Sequence, residues 1–242
     1  MNMALTQMLR KCVREAAQRP ALRQGAEVWT YGDLHKRSAR LAAALHAHGL
    51  QAGDRVGMLA PNGLLYPLFM WATWWAGGVI NPVNVRWSVA EIAYALDDSQ
   101  TRILLVDEPF VATAQALRGV STSLQTLIYC GSGVTPEGML SLRELWATHA
   151  PAQDQGRSDG DLAMIMYTGG TTGKSKGVML SHANLYVATL GSIAMSPRPM
   201  YGRALMVAPL FHIAALGTSL RLLRQQAQQV LLPGFDEGAV LE

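Results

Sequence analysis

The sequence predicts an α/β fold of mostly parallel sheet layers covered by helices. Three observations carry that prediction. Half of the 242 residues are hydrophobic and only 15% are charged, a core-rich composition without the signature of disorder. Apolar runs of strand length alternate with longer helical stretches, the pattern of strands joined through crossover helices. Capping residues and glycine stops stand where these stretches change over.

Taken in order, "EVWTY" (27–31) reads as a short strand ending at Thr30, an N-cap residue. The helix "GDLHKRSARLAAALHAHG" follows and is stopped by Gly49. "DRVGMLA" (54–60) is a buried strand, and an apolar helix comes after it. "GGVINPV" is the next strand. "SVAEIAYALDD" opens with Ser88 and Glu91 in capping-box spacing and reads as a helix. "TRILLVD" (101–107) is a strand, "EPFVATAQALRG" a helix and "LQTLIYC" (124–130) another strand. After a short helix around "SLRELWATH", the polar "APAQDQGRSDGD" (150–161) reads as a surface connection and a subdomain seam. No internal repeat is visible.

Several function classes fall away. The net charge of +3 is mild. The basic residues, Arg10, Lys11, Lys36, Arg37 and Arg40 among them, are scattered, so no nucleic-acid footprint forms. Cys12 and Cys130 form no Cys-x-x-Cys pair and have no metal-ligand spacing. They read as reduced cysteines of an intracellular protein. The start "MNMALTQMLRKCVREAAQR" mixes polar and apolar residues too closely for a signal peptide. Between Val56 and Val85 there is no charge, but Pro61, Pro67, Gly77, Gly78, Asn81 and Pro82 interrupt the run. A buried core helix is expected there and no transmembrane segment, because a span needs about 20 apolar residues.

The chemistry concentrates in "YTGGTTGKSKGV", Tyr167 to Val178, with four glycines, three threonines, a serine and two lysines. "LAMIMY" (162–167) before it is a buried-strand run. "GVMLSH" after it suits a second strand, with Ser181 capping the helix "HANLYVATLGSIAM". The loop is therefore expected to join strand to strand. A Walker A loop needs G-x-x-x-x-G-K-[ST] running into a helix. Thr168 stands where its first glycine should be. Phosphate binding still fits: glycines let backbone N–H groups approach an anion and form concavities around it. Thr168, Thr171, Thr172 and Ser175 add hydroxyls, Lys174 and Lys176 add charge, and no carboxylate lies between Asp161 and Asp236. The alternative is a mobile glycine-rich hairpin tip with solvated lysines. The four hydroxyls and the buried strand feeding the loop favour the phosphate.

This stretch resembles the AMP-binding signature of the acyl-adenylate-forming superfamily, Tyr-Thr-Ser/Gly-Gly-Thr-Thr-Gly-x-Pro-Lys-Gly. Gly169 takes the Ser/Gly position and Ser175 replaces the usual proline. "WTYGDL" (29–34), "GLQAGDRVGMLAPNG" (49–63), "AGGVINPVNVRWS" (76–88) and "PLFHIAAL" (209–216) are similar to segments of the same family in the same order. The likeness covers essentially the whole chain and is strongest toward fatty-acyl and other acyl-CoA synthetases.

The resemblance implies that Thr168, Gly169, Gly170, Thr171, Thr172, Gly173 and Lys174 line the β- and γ-phosphates of ATP, with Lys176 nearby. It implies Thr168 as a magnesium contact and places His212 at a helix start beside the acyl substrate. Without the family, His212 would read as a core histidine satisfied by a backbone carbonyl. The implied substrates are a carboxylic acid, ATP with Mg2+, and CoA, in the cytoplasm. The family's Y-G-x-T-E segment, ribose-binding Asp and catalytic lysine would all lie beyond Glu242. Residues 1–242 are therefore expected to be an incomplete N-terminal large domain with no catalytic residue of its own. A sheet edge or helix-facing surface should be exposed near the C-terminus, and a homodimer would be one way to cover it. The competing readings are a non-catalytic nucleotide-binding or regulatory module, and an NTPase with a degenerate phosphate loop. "PLFHIAALGTSL" favours a fatty or aromatic acid over an amino acid.

Overall fold

The computed structural model describes residues 2–169, 174–196 and 200–238. Along the chain run α1 (Thr6–Ala16), β1 (Pro20–Gln24), β2 (Glu27–Thr30), α2 (Tyr31–Ala47), β3 (Arg55–Leu59), α3 (Leu65–Trp75) and β4 (Val79–Pro82). Next come α4 (Val89–Asp98), β5 (Ile103–Val106), α5 (Val111–Leu117), β6 (Thr126–Tyr129), β7 (Leu140–Ser141) and α6 (Leu142–Thr148). The chain continues through β8 (Leu162–Thr168), β9 (Lys176–Ser181), α7 (His182–Met195), β10 (Arg203–Met206), α8 (Ile213–Arg224) and β11 (Gln228–Leu231).

The strands form two sheets. The larger has the order β7-β6-β5-β3-β4-β8-β9 and is parallel except for its last pair, the antiparallel β8–β9 hairpin. The smaller has the order β10-β11-β1-β2. From β3 the chain moves to β4 on one side, then crosses to β5 on the other. The connections therefore reverse direction between β3 and β5, the topological switch point where open α/β sheets often bind ligands.

The predicted caps form. Thr30, Ser88 and Ser181 each close a capping box at the start of α2, α4 and α7, with Asp33, Glu91 and Asn184 as partners. Helix α3 is apolar on all sides because it is buried on all sides. Its indoles find partners inside: Trp74 Nε1 donates to Ala163 O (2.8 Å) and Trp75 Nε1 to Ala152 O (2.9 Å). No helix among the described residues is long and apolar enough to cross a membrane. The polar segment at 150–161 lies along α2 and α3, with Ala152 N donating to Ala39 O and Gln155 N to Trp75 O.

Five of the elements named above had no sequence signal: α1, β1, the two-residue β7, β10 and β11. Strand β1 pairs in parallel with β11, Leu22 opposite Gln229, a partner far along the chain. Strand β11 is hidden by its glutamines. Gln229 is buried yet satisfied, accepting from Ser219 Oγ (2.7 Å) and donating to Ser219 O (3.2 Å). The last strand is therefore interior to its sheet. The outer edge belongs to β10, where Leu205 is exposed.

Helix α4 breaks a local rule. It ends on Asp97 and Asp98 with no basic residue in its last turn. A carboxylate at a helix C-terminus opposes the dipole by about 0.3–1 kcal/mol. Asp97 is explained by the turn it holds, accepting from Ser121 Oγ, Thr122 N and Ser123 N. Burial pushes its carboxyl up, but the hydrogen bonds from the 121–123 turn outweigh that and bring it down to about 2. Asp98 is taken up below.

Candidate functional site

Strands β8 and β9 pair from Leu162↔Ser181 to Thr168↔Lys176. The glycine-rich segment is thus the tip of an antiparallel hairpin, and β9 runs on through Ser181 before α7 begins. This is the strand-to-strand connection expected from the sequence, and it excludes the strand-to-helix turn of a Walker A loop. Strand β8 lies parallel to β4, so the tip stands at the carboxyl edge of the large sheet.

Thr168 ends β8 and is exposed, as is Gly169 beside it. Lys176 faces Thr168 across the hairpin, and Lys174 reaches back until its Nζ lies 5.0 Å from the centre of the Tyr94 ring. Gly170, Thr171, Thr172 and Gly173 lie outside the described residues. Gly169, Lys174 and Ser175 form one wall of a cavity of ≈ 560 Å³, with Trp87, Ala90, Glu91 and Tyr94 opposite.

The entry to the loop is fixed by Tyr167, which the sequence marks as the end of a strand and the first residue of the signature stretch, with no role of its own. Its ring meets the edges of Trp87 (6.4 Å) and Tyr94 (6.5 Å). Its hydroxyl donates to Asp98 Oδ2 (2.5 Å). Burial first, then the hydrogen bond to Asp98 and that carboxylate's charge, hold the phenol well above its usual range. Gly177 is its neighbour across the hairpin. A Cβ there would come within 2.9 Å of Ile165 Cγ2 and 3.1 Å of Tyr167 Cζ, so the packed ring requires a glycine.

A second cleft, of ≈ 570 Å³, opens at the switch point. It lies where β3, β5 and β6 end, among Asn62, Asp107, Cys130 and Arg143, with Arg37 and Trp146 on its sides. Its polar groups are engaged by the protein itself. Asn62 Nδ2 donates to Ala208 O and its Oδ1 accepts from Leu210 N, both at 2.8 Å. Arg37 stacks between Trp29 (4.4 Å) and Trp146 (5.1 Å). Arg143 Nη2 donates to Ser132 O and Glu27 Oε1 accepts from Trp29 Nε1. Burial holds the Asp107 carboxyl above its usual range.

His212 is the N-cap residue of α8. It is exposed, and its ring packs on Phe211 at 4.5 Å. The core-histidine alternative therefore does not hold. Buried Asn62 clamps the turn just before it, a role with no sequence signal because the partners lie about 146 residues away. Burial raises both thiols, Cys12 to about 12, which makes them poor nucleophiles. Among the described residues no group of three or more His, Cys, Asp or Glu could hold a metal ion.

Comparison with known proteins places this geometry. The profile of the family described as "AMP-binding enzyme" matches residues 9–242. The chain is 36% identical over 233 residues to a feruloyl-CoA synthase of Amycolatopsis sp, covering 95% of this chain and 44% of that protein. It is 29% identical to the long-chain-fatty-acid–CoA ligase FadD13 of Mycobacterium tuberculosis, over 86% of this chain and 40% of that one. Among solved structures, ATP-bound MatB of Rhodopseudomonas palustris superposes with a TM-score of 0.86 at 30% identity, over 100% of this chain and 47% of that one. The inhibitor-bound N-terminal domain of FACL13 from Mycobacterium tuberculosis gives 0.88 at 26% identity, over 99% and 59%. The chain spans less than half the length of these curated relatives.

Proposed function

Since the chain belongs to the AMP-binding enzyme family, we propose that it supplies the triphosphate grip of an ATP-dependent acyl-CoA ligase acting in the cytoplasm. The observation that supports this most is the hairpin tip. It joins two strands, carries the exposed residues Thr168, Lys174 and Lys176, and with Lys174 lines a cavity that, among the described residues, has no second lysine or arginine.

In this reading a carboxylate oxygen of the acid attacks the α-phosphorus of ATP. The bond to the β-phosphate breaks, and pyrophosphate leaves with the electron pair. The thiolate of CoA then attacks the acyl carbonyl and expels AMP. The first step needs charge stabilisation on the leaving group more than covalent help. The loop amides, the hydroxyls and the two lysines would provide it. Magnesium, when bound, would screen the triphosphate, with the Thr168 hydroxyl as the protein's contact. The relatives' names, feruloyl-CoA synthase and long-chain-fatty-acid–CoA ligase, fit the fatty or aromatic acid that the apolar segment running into α8 favours. His212, exposed beside Phe211, would line the acyl pocket and not act as a base.

A second reading has one observation behind it. Among the described residues that line the loop cavity Glu91 is the one carboxylate, and it is engaged in capping α4. The chain would then bind the nucleotide without turning it over. Acid-dependent ATP–pyrophosphate exchange, with MgATP binding measured in parallel, separates the two. Exchange on this chain supports the ligase. Binding without exchange supports a nucleotide-holding unit, and the absence of both overturns the assignment of the loop. Hydrolysis of ATP independent of any acid would point to an NTPase instead.

A further inference from the structure

We propose that Asp98 is a positioning residue for the phosphate-gripping loop, acting through the Tyr167 hydroxyl. The proposal rests on reading that loop as the ATP-phosphate site.

The argument starts from a conflict. Asp98 is the last residue of α4, where a carboxylate works against the helix dipole. Its neighbour Asp97 resolves the same conflict by holding the 121–123 turn. The bond given to Asp98 is the one from Tyr167. A local rule broken in favour of a tertiary contact is what functional sites commonly show.

The contact sits where the loop can be controlled. Tyr167 is the residue before Thr168 and Gly169, so fixing its ring fixes the angle at which the loop leaves β8. The ring is held on several sides at once: by Trp87 and Tyr94 at its edges, by Gly177 across the hairpin, and by Asp98 at its hydroxyl. The end of α4 is itself anchored to the sheet interior. Asn81 Nδ2, buried on β4, donates to Ser99 Oγ and Thr101 Oγ1, both at 3.0 Å. The same helix carries Tyr94, over which Lys174 lies on the far arm of the loop. One helix thus holds both arms, the entry through Asp98 and Tyr167, the exit through Tyr94 and Lys174.

The physical consequence is preorganisation. A loop whose sequence carries Gly169, Gly170 and Gly173 costs more backbone entropy to order around an anion than one without glycine. Arms already fixed by the scaffold reduce the ordering that binding must accomplish. Asp98 therefore acts on the affinity for MgATP and touches no reacting atom.

The test is MgATP affinity of the 242-residue chain by titration calorimetry, with thermal unfolding of every variant alongside. Asp98→Ala and Tyr167→Phe should each weaken binding about tenfold, the size expected for a hydrogen bond to a charged group. The double variant should be no weaker than the worse single one. Asp98→Asn, whose carbonyl still accepts from the phenol, should recover most of the affinity. A purely structural role would instead lower the unfolding temperature of all variants without coupling or rescue, and would overturn the proposal. So would unchanged affinity in Asp98→Ala while Lys174→Ala binds poorly. If the unsubstituted chain fails to bind MgATP, or Lys174→Ala binds as well as it does, the reading of the loop falls and this proposal with it.

Discussion

Two of the clefts on this molecule, both at the carboxyl edge of the large sheet, are nearly equal in volume, ≈ 570 Å³ at the switch point and ≈ 560 Å³ at the β8–β9 hairpin. Topology favours the first, since open α/β sheets bind ligands where strand order reverses. Side-chain chemistry favours the second. At the switch point Asn62, Arg37, Arg143 and Glu27 are already bonded or stacked within the protein. At the hairpin, among the described residues, Lys174 rests on nothing stronger than the face of Tyr94, and Thr168 and Lys176 are exposed. Groups held in reserve identify a site better than the space around them does.

The largest effect should come from removing one of those reserved charges. Lys174→Ala is expected to weaken MgATP binding by about ten- to a hundredfold, the range of a lost hydrogen bond to a charged group. Calorimetry checks it. Equal loss from a switch-point variant would break the comparison.

Asn62→Ala comes next and should act on the fold. It leaves Ala208 O and Leu210 N without their partner, at a cost of about 1–3 kcal/mol each where buried. Denaturant unfolding should show the loss, while MgATP binding to whatever chain remains folded should be close to normal.

Acid should separate the two regions by sign. Burial lowers the His182 imidazole, at the foot of the hairpin, to about 4. The unfolded chain therefore takes up that proton first, near pH 6.5. Stability contributed by neutral His182 is present above that value and is lost as pH falls toward 4. Asp107 in the other cleft is shifted upward. Its contribution is fully present below the unfolded carboxylate value and is lost as pH rises. Hydrogen exchange at pH 5 against pH 7 should show faster opening around Leu5, whose amide donates to His182 Nδ1, with no matching loosening at Asp107.

Gly177→Ala sharpens the comparison on a smaller scale. Its Cβ would press on Tyr167 and Ile165, so MgATP affinity should fall several-fold, with a fall in unfolding temperature that matches an overpacking cost of about 1–3 kcal/mol. The smallest expected effect is at Arg143→Ala. It removes an exposed bond to Ser132 O and should leave nucleotide binding unchanged.

Much of the large sheet was legible beforehand. Its strands are short apolar runs, and its helices carry their own start signals at Thr30, Ser88 and Ser181. The hairpin was legible for the same reason: strand, glycines, hydroxyls, lysines and strand follow one another within twenty residues. The smaller sheet was not. Strand β1 and the glutamine-bearing β11 become strands by pairing with each other, Leu22 against Gln229, and neither advertises that partner locally.

Sequence alone therefore determined the elements whose causes lie within a turn or two of the chain: caps, apolar periods and the composition of the phosphate-gripping tip. Tertiary structure alone decided which groups were left free to act. Whether Asn62 is a clamp, Asp98 an anchor or Lys174 a reserve depends on partners brought near by folding. A hydrogen bond has a reach of about 3 Å, and nothing in a linear sequence measures that distance between residues far apart along the chain.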